Sequence, residues 1–127
     1  PSLVQLSQTC SSMTLWSWVE DIKEAYLAGH TFVAPMMIGT GLQNKLLEAM
    51  ALRLPCVTSQ LANNALGAKD GEHLLIAKDP EEFALQIKKL RQKELYDTIR
   101  LNGHDYIAKN FSWEQQCHAI TQQMLKA

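Results

Sequence analysis

Apolar residues fall along this chain in two rhythms: short unbroken runs, and stripes at spacings of three and four. The runs suit strands covered on both faces, and the stripes suit helices with one buried side. Residues 31–34, TFVA, form a run that Pro35 stops, too short for a helix, and a central parallel strand is predicted there. In LQNKLLEAMAL, Leu42, Leu46 and Met50 repeat at helical spacing beside Leu47, with Thr40 and Gln43 as its candidate capping box. Pro55 then breaks the chain, and Cys56, Val57 and Thr58 supply a second buried strand, so that strand, helix and strand make a βαβ unit. Residues 72–77, EHLLIA, predict a further strand. After it, Asp79, Pro80 and Glu82 take the N-cap, N1 and N3 positions of a helix whose inner stripe is Phe83, Ile87 and Leu90. The next helix carries Leu95, Ile99 and Tyr106 to about Lys109. A last one starts at Ser112 with Gln115 as box partner, and turns Trp113, Ile120 and Met124 toward the body. Nearer the amino end, residues 13–19, MTLWSWV, predict a strand, and Glu20 and Asp21 lead into a short helical turn.

The alternation predicts an α/β fold: a partial Rossmann-like three-layer α/β/α domain with a short parallel sheet and a helical C-terminal tail. About four strands are visible where doubly wound sheets use five or six. Residues 1–127 therefore read as a single domain excised from a larger chain. A content of 46% hydrophobic and 20% charged residues is that of a folded domain and excludes disorder. Twelve basic against thirteen acidic residues leave a net charge of -1, so no strong field favours nucleic acid, and no nucleic-acid partner is expected. No apolar run reaches the roughly 20 residues that a bilayer span needs. The three cysteines form no CxxC pair. Free thiols in a reducing, cytoplasmic compartment are expected, with Cys56 buried in its strand and Cys117 buried beside Ile120 and Met124.

The candidate chemistry concentrates in PMMIGTGLQNKLLEAMA. Gly39 and Gly41 bracket Thr40 where a strand gives way to a helix, so the backbone can turn tightly and offer amides at the helix's positive end. A bare GxG also serves plain chain reversal. The GxxxxGK[ST] order of a P-loop is absent, as is the full GxGxxG dinucleotide fingerprint. Lys45 and Glu48 lie three residues apart and share one helical face, with the cation near the amino end where it opposes the helix dipole. A solvated ion pair accounts for that spacing, and so does an anion site. If a diphosphate rests over Gly41, Lys45 can meet it, and Glu48 can accept both hydroxyls of a ribose. The histidines, His30, His73, His104 and His118, have no HExxH spacing and no carboxylate cluster, and no metal site is expected.

The stretch FVAPMMIGTGLQNKLLEAMALRLPCVTS resembles the C-terminal nucleotide-sugar-binding domain of retaining glycosyltransferases built from two Rossmann-like domains, the glycosyltransferase group 1 family. The resemblance extends back through WSWVEDIKEAY and forward through EHLLIAKDPEEFALQI to the FSW before the last helix, and its QNK-LLEAMA form is similar to sugar transferases of cell-surface polysaccharide synthesis. It implies that Glu48, in the EAMA context, holds the ribose hydroxyls of the nucleotide. The family often carries another glutamate eight positions earlier, near the donor sugar, but Thr40 stands there. Backbone groups of residues 38–41 are then the substitutes. Ser17 takes a place where the family usually has glycine, close to the uracil or guanine base, with Trp16 and Trp18 either flanking that base or filling core and sheet edge. Asn63 and Asn64, after a strand, either line the donor pocket or cap a turn.

The resemblance further implies transfer of a sugar from a nucleoside diphosphate sugar, UDP- or GDP-linked, to a hydroxyl acceptor, with retention and without a bound metal. Charge then gathers on the leaving diphosphate, where Gly39, Thr40, Gly41, Leu42 and Lys45 are the candidates to stabilise it. The expected partners are the nucleotide sugar and an N-terminal domain that this chain lacks, so the fragment alone turns over no substrate. The parent enzyme is placed in the cytoplasm or peripherally at the inner membrane face. Two other readings stay open: a nucleotide-sugar epimerase, which shares this architecture, and a non-catalytic assembly module, with self-association through surfaces that truncation exposes.

Overall fold

In the computed structural model, residues 2–39 and 41–126 are described, the backbone alone at 113–116, 119 and 126. The elements run α1 (Leu3–Thr9), α2 (Ile22–Leu27), β1 (Phe32–Ala34), α3 (Asn44–Ala51), β2 (Cys56–Thr58), α4 (Gln60–Asn63), β3 (Leu75–Ile76), α5 (Pro80–Lys89), α6 (Lys93–Asn110) and α7 (Trp113–Lys126). The three strands form one parallel sheet in the order β1-β2-β3, with Val33 opposite Val57 and Val57 opposite Leu75. Helices flank the sheet and a helical region closes the chain, the mixed α/β class that the apolar pattern predicts.

Successive side chains of a strand point to opposite faces, and β2 divides the core accordingly. Cys56 joins Ala34, Leu46, Ala49 and Met50 on the α3 face. Val57 joins Leu75, Leu90 and Ile99 on the α5 face. Burial of all three β2 residues explains why its sequence has no polar alternation. Helix α6 serves both faces, with Ile99 in one cluster and Ile107 in the other. It approaches closely because residue 103 is glycine: a Cβ there would lie 2.7 Å from the His73 carbonyl oxygen. Tyr106 locks the same region, its ring stacked on His73 at 4.4 Å and its hydroxyl donating to the Leu66 carbonyl at 2.6 Å.

Five expectations need correction. Residues 13–19 form no strand, and Trp16 and Trp18 are both exposed, so neither tryptophan belongs to the core. Strand β1 pairs with β2 on one side, and among the described residues no strand pairs with its other edge. Helix α3 starts at Asn44, not near Leu42, with Gln43 as an N-cap that makes no side-chain capping bond. Ile87 turns outward while Phe83 and Leu90 pack inward; it lines an apolar groove of about 740 Å³ with Val33, Pro35 and Met37 beside β1. On α7, Cys117, Ile120 and Met124 are exposed, because among the described side chains no apolar surface covers their stripe; the expectations for Trp113 and Gln115 lie outside the described residues.

The helix start at Pro80 forms as predicted. Asp79 accepts from the Glu82 amide at 2.8 Å, and Glu82 reaches back to the Lys78 amide at 3.0 Å.

Candidate functional site

Ligand sites of parallel α/β sheets lie outside the carboxyl ends of the strands. At that end, Thr58 Oγ1 donates to the Ala34 carbonyl at 2.8 Å and Ser59 Oγ to the Met36 carbonyl at 2.7 Å. These two bonds tie the chain leaving β1 to the end of β2, and fix the base of the loop that runs on to α3. Gly39 at φ 120° and Gly41 at φ 82° then take backbone conformations that L side chains rarely adopt. Among the described residues, apart from its chain neighbours, nothing stands within 4 Å of a Cβ built on Gly41, and Gln43 Nε2 donates to its carbonyl at 3.5 Å. Thr40 lies outside the described residues. Leu42 is exposed and precedes the helix.

The late helix start moves the candidate anion site. The carbonyl of Gln43 already takes the Leu46 and Leu47 amides, at 3.1 and 3.3 Å, and the first helical amides belong to Asn44 and Lys45. The positive end of α3 therefore lies at these two residues.

Lys45 and Glu48 are both exposed, while Leu46, Ala49 and Met50 hold the opposite side of α3 in the core. The amphipathic pattern thus aims both charged groups outward on one side. Glu48 does not pair with Lys45: among the described residues, the ion pairs are Lys69–Glu72, His73–Glu72, Lys78–Glu82 and Arg100–Asp97. Its Oε2 instead accepts from the Tyr26 hydroxyl of α2 at 2.8 Å, and that hydroxyl also lies 3.4 Å from the Lys45 carbonyl oxygen. The Tyr26 ring packs against Phe32 at 5.5 Å. Burial, then the hydrogen bond to Glu48 and its charge, push the Tyr26 hydroxyl up to about 12. It therefore remains a proton donor throughout the neutral range.

Two clefts flank Tyr26. One, of about 380 Å³, is bordered by Ala25, Thr31, Phe32 and Lys45; the other, of about 340 Å³, by Lys23, Ala51, Leu52 and Glu48. Ile22 and Tyr26 form the wall common to both. The glycine turn lines neither cleft. The larger groove beside β1 is walled by apolar carbon from Val33, Phe83 and Ile87, with Lys78 and Asp79 among its border residues, and it involves neither Lys45 nor Glu48.

The remaining predicted residues are dispersed. Ser17 is exposed in the irregular segment before α2. Asn63 is buried, donating through Nδ2 to the Ala68 carbonyl at 2.8 Å and accepting through Oδ1 from the Ala68 amide at 3.1 Å. Asn64 accepts from Gln60 Nε2 at 2.9 Å on the surface. Asn63 thus spends its side chain on a local turn, whereas Asn64 pairs with the Gln60 side chain on the surface. Tyr26 is the residue that pattern reading missed. Nothing local links EAYLAG to Glu48, 22 residues on, and only the packing of α2 against α3 brings them together.

Fold and site together define a mixed α/β domain in which Lys45 and Glu48 stand exposed on a helix that flanks a short parallel sheet. The chain belongs to the family of glycosyl transferases group 1, which residues 1–93 match. It is 28% identical over 93 residues to a Klebsiella pneumoniae protein described as an uncharacterized 44.6 kDa protein in the cps region, a match covering 72% of this chain and 24% of that one. The chain thus spans about a quarter of the length of that curated relative. Its fold is similar to the crystal structure of the C-terminal domain of a glycosyl transferase group 1 family protein, LpcC, from Francisella tularensis. The TM-score is 0.72 at 18% identity, covering 87% of this chain and 61% of that one.

Proposed function

We propose that this chain is the donor-binding part of a retaining glycosyltransferase, and that the outward face of α3 holds a nucleoside diphosphate sugar. One observation carries the reading: in a member of the glycosyl transferases group 1 family, Lys45 and Glu48 stand exposed on α3, unpaired with each other, about one and two turns after the glycine turn. A structural ion pair would have used both charges; here both are available to a ligand. The similarity to a C-terminal domain and to a protein of a cps region supports a place in the second half of a two-domain enzyme of surface-polysaccharide synthesis.

In this role Glu48 accepts the ribose hydroxyls, while Lys45 and the first amides of α3 face the diphosphate. As the bond from the anomeric carbon to the diphosphate oxygen breaks, negative charge grows on the leaving group. Donors fixed in advance then gain more in the transition state than in the ground state, which is how this part contributes to rate. The acceptor site belongs to the rest of the enzyme, and the chain alone binds donor without turnover.

Calorimetric titration with UDP and GDP tests the reading. Glu48→Gln removes a charge-assisted acceptor and is expected to weaken binding about ten- to a hundredfold. Lys45→Ala removes an exposed charge and is expected to cost only about two- to fivefold, more for the diphosphate than for the free nucleoside. Absence of saturable binding, or superimposable curves for the unsubstituted chain and both variants, overturns the assignment.

A further inference from the structure

We propose that Tyr26 is the positioning residue of the donor site, its hydroxyl holding the Glu48 carboxylate in the orientation that accepts the ribose hydroxyls. The inference rests on the donor-site reading above and adds to it a residue from a different helix.

An exposed glutamate samples several rotamers, and a ligand that needs one of them must bear the cost of ordering it. Glu48 is ordered before any ligand arrives. Its Oε2 is held at 2.8 Å by Tyr26, and the tyrosine is itself anchored, its ring tilted against Phe32 of β1. The chain of support thus runs from the sheet, through a half-buried aromatic ring, to a surface carboxylate. A carboxylate offers about four lone-pair sites, of which the tyrosine occupies one. Oε1 and the second lone pair of Oε2 remain for two adjacent hydroxyls. The hydroxyl also lies 3.4 Å from the Lys45 carbonyl oxygen, one turn before Glu48. Burial and the neighbouring carboxylate keep the phenol protonated, and the support does not lapse at neutral or mildly alkaline pH. Ile22 and Tyr26 form the wall shared by the two clefts, one bordered by Lys45 and the other by Glu48.

The test is a ribose-discrimination cycle on the 127-residue chain. UDP and GDP are titrated against their 2′-deoxy counterparts for the unsubstituted chain, Tyr26→Phe, Glu48→Gln and the double variant, with a thermal melt of each. Phenylalanine keeps the ring against Phe32 and removes only the donor. Tyr26→Phe is expected to lower the preference for ribose over deoxyribose about three- to tenfold, the worth of one pre-ordered side chain. In the Glu48→Gln background the same change is expected to be silent. If Tyr26→Phe weakens ribo and deoxy ligands alike, its role is structural and the inference falls. It falls too if the preference is unchanged while Glu48→Gln still weakens UDP or GDP. If Glu48→Gln has no effect, or nothing binds, the donor-site reading itself has failed.

Discussion

Asn63 turns both ends of its side-chain amide to a single residue, donating to the Ala68 carbonyl and accepting from the Ala68 amide. The side chain thereby closes the turn between α4 and the segment that leads to β3, in a place where water is excluded. Removing it strands two buried backbone groups, and an unmade buried hydrogen bond costs more than a made one contributes. Asn63→Ala is therefore expected to destabilise the chain by about 1–3 kcal/mol, measured by urea unfolding. Its affinity for UDP or GDP, corrected for the unfolded fraction, should stay unchanged, since the side chain is buried and turned to Ala68. A loss of affinity without a loss of stability would return Asn63 to the donor site. The contrast with Glu48 decides what each polar residue is for: one faces inward and is satisfied by backbone, the other faces outward with most of its acceptor capacity unused.

At the scale of single elements, α3 carries a mismatch at its far end. The Arg53 amide donates to Met50 and the Leu54 amide to Ala49, the paired bonds of a Schellman turn, with Leu54 packed in the same cluster as Ala49. That turn needs a left-handed residue after the C-cap, and Arg53 occupies it at φ 60°. Glycine adopts this conformation without the clash that Cβ suffers, although it also gains freedom in the unfolded chain. Arg53→Gly is expected to stabilise the chain by about 0.5–1 kcal/mol, read as an upward shift of the urea midpoint at constant slope. A lower midpoint would mean that the arginine side chain contributes packing which outweighs the strain. Elements of this kind were legible wherever local chemistry decides them. Asp79, Pro80 and Glu82 announce a helix start in any context, and the apolar runs at 32–34 and 56–58 both form strands, of which only the second is buried throughout. The pattern misled at 13–19, because a strand exists only with a neighbour to pair with, and pairing is not written locally. It misled at the start of α3 as well, where Gln43 is the N-cap and makes no side-chain capping bond. The shared orientation of Lys45 and Glu48 followed from spacing; their relation to Tyr26 could not, since it arises between helices.

At the scale of the whole molecule, β2 is, among the described residues, the one strand paired on both sides, and its residues join the two core clusters across the sheet. Cys56 lies at its start, fully buried, with its thiol pushed up to about 12 by burial. Thiol reagents attack the thiolate, so this group is protected twice, by access and by protonation. Cys10 and Cys117 are exposed, and hydrogen bonds with Ser12 lower the Cys10 thiol further. Reaction with Ellman's reagent at pH 8 is accordingly expected to release two equivalents at once and the third slowly. The slow phase distinguishes two kinds of molecule. If α3 and α5 open independently, Cys56 becomes reachable through loss of the α3 face alone, and its rate rises only weakly with urea. If β2 makes the two faces one cooperative unit, nothing short of global unfolding frees it. The urea dependence of the slow phase should then match the slope of equilibrium unfolding. The geometry favours the second outcome: Val57, next to Cys56, is locked into the opposite cluster, and α6 contributes Ile99 to one cluster and Ile107 to the other. A slope well below the equilibrium value would show that the α3 face, which carries Lys45 and Glu48, opens as a separate unit.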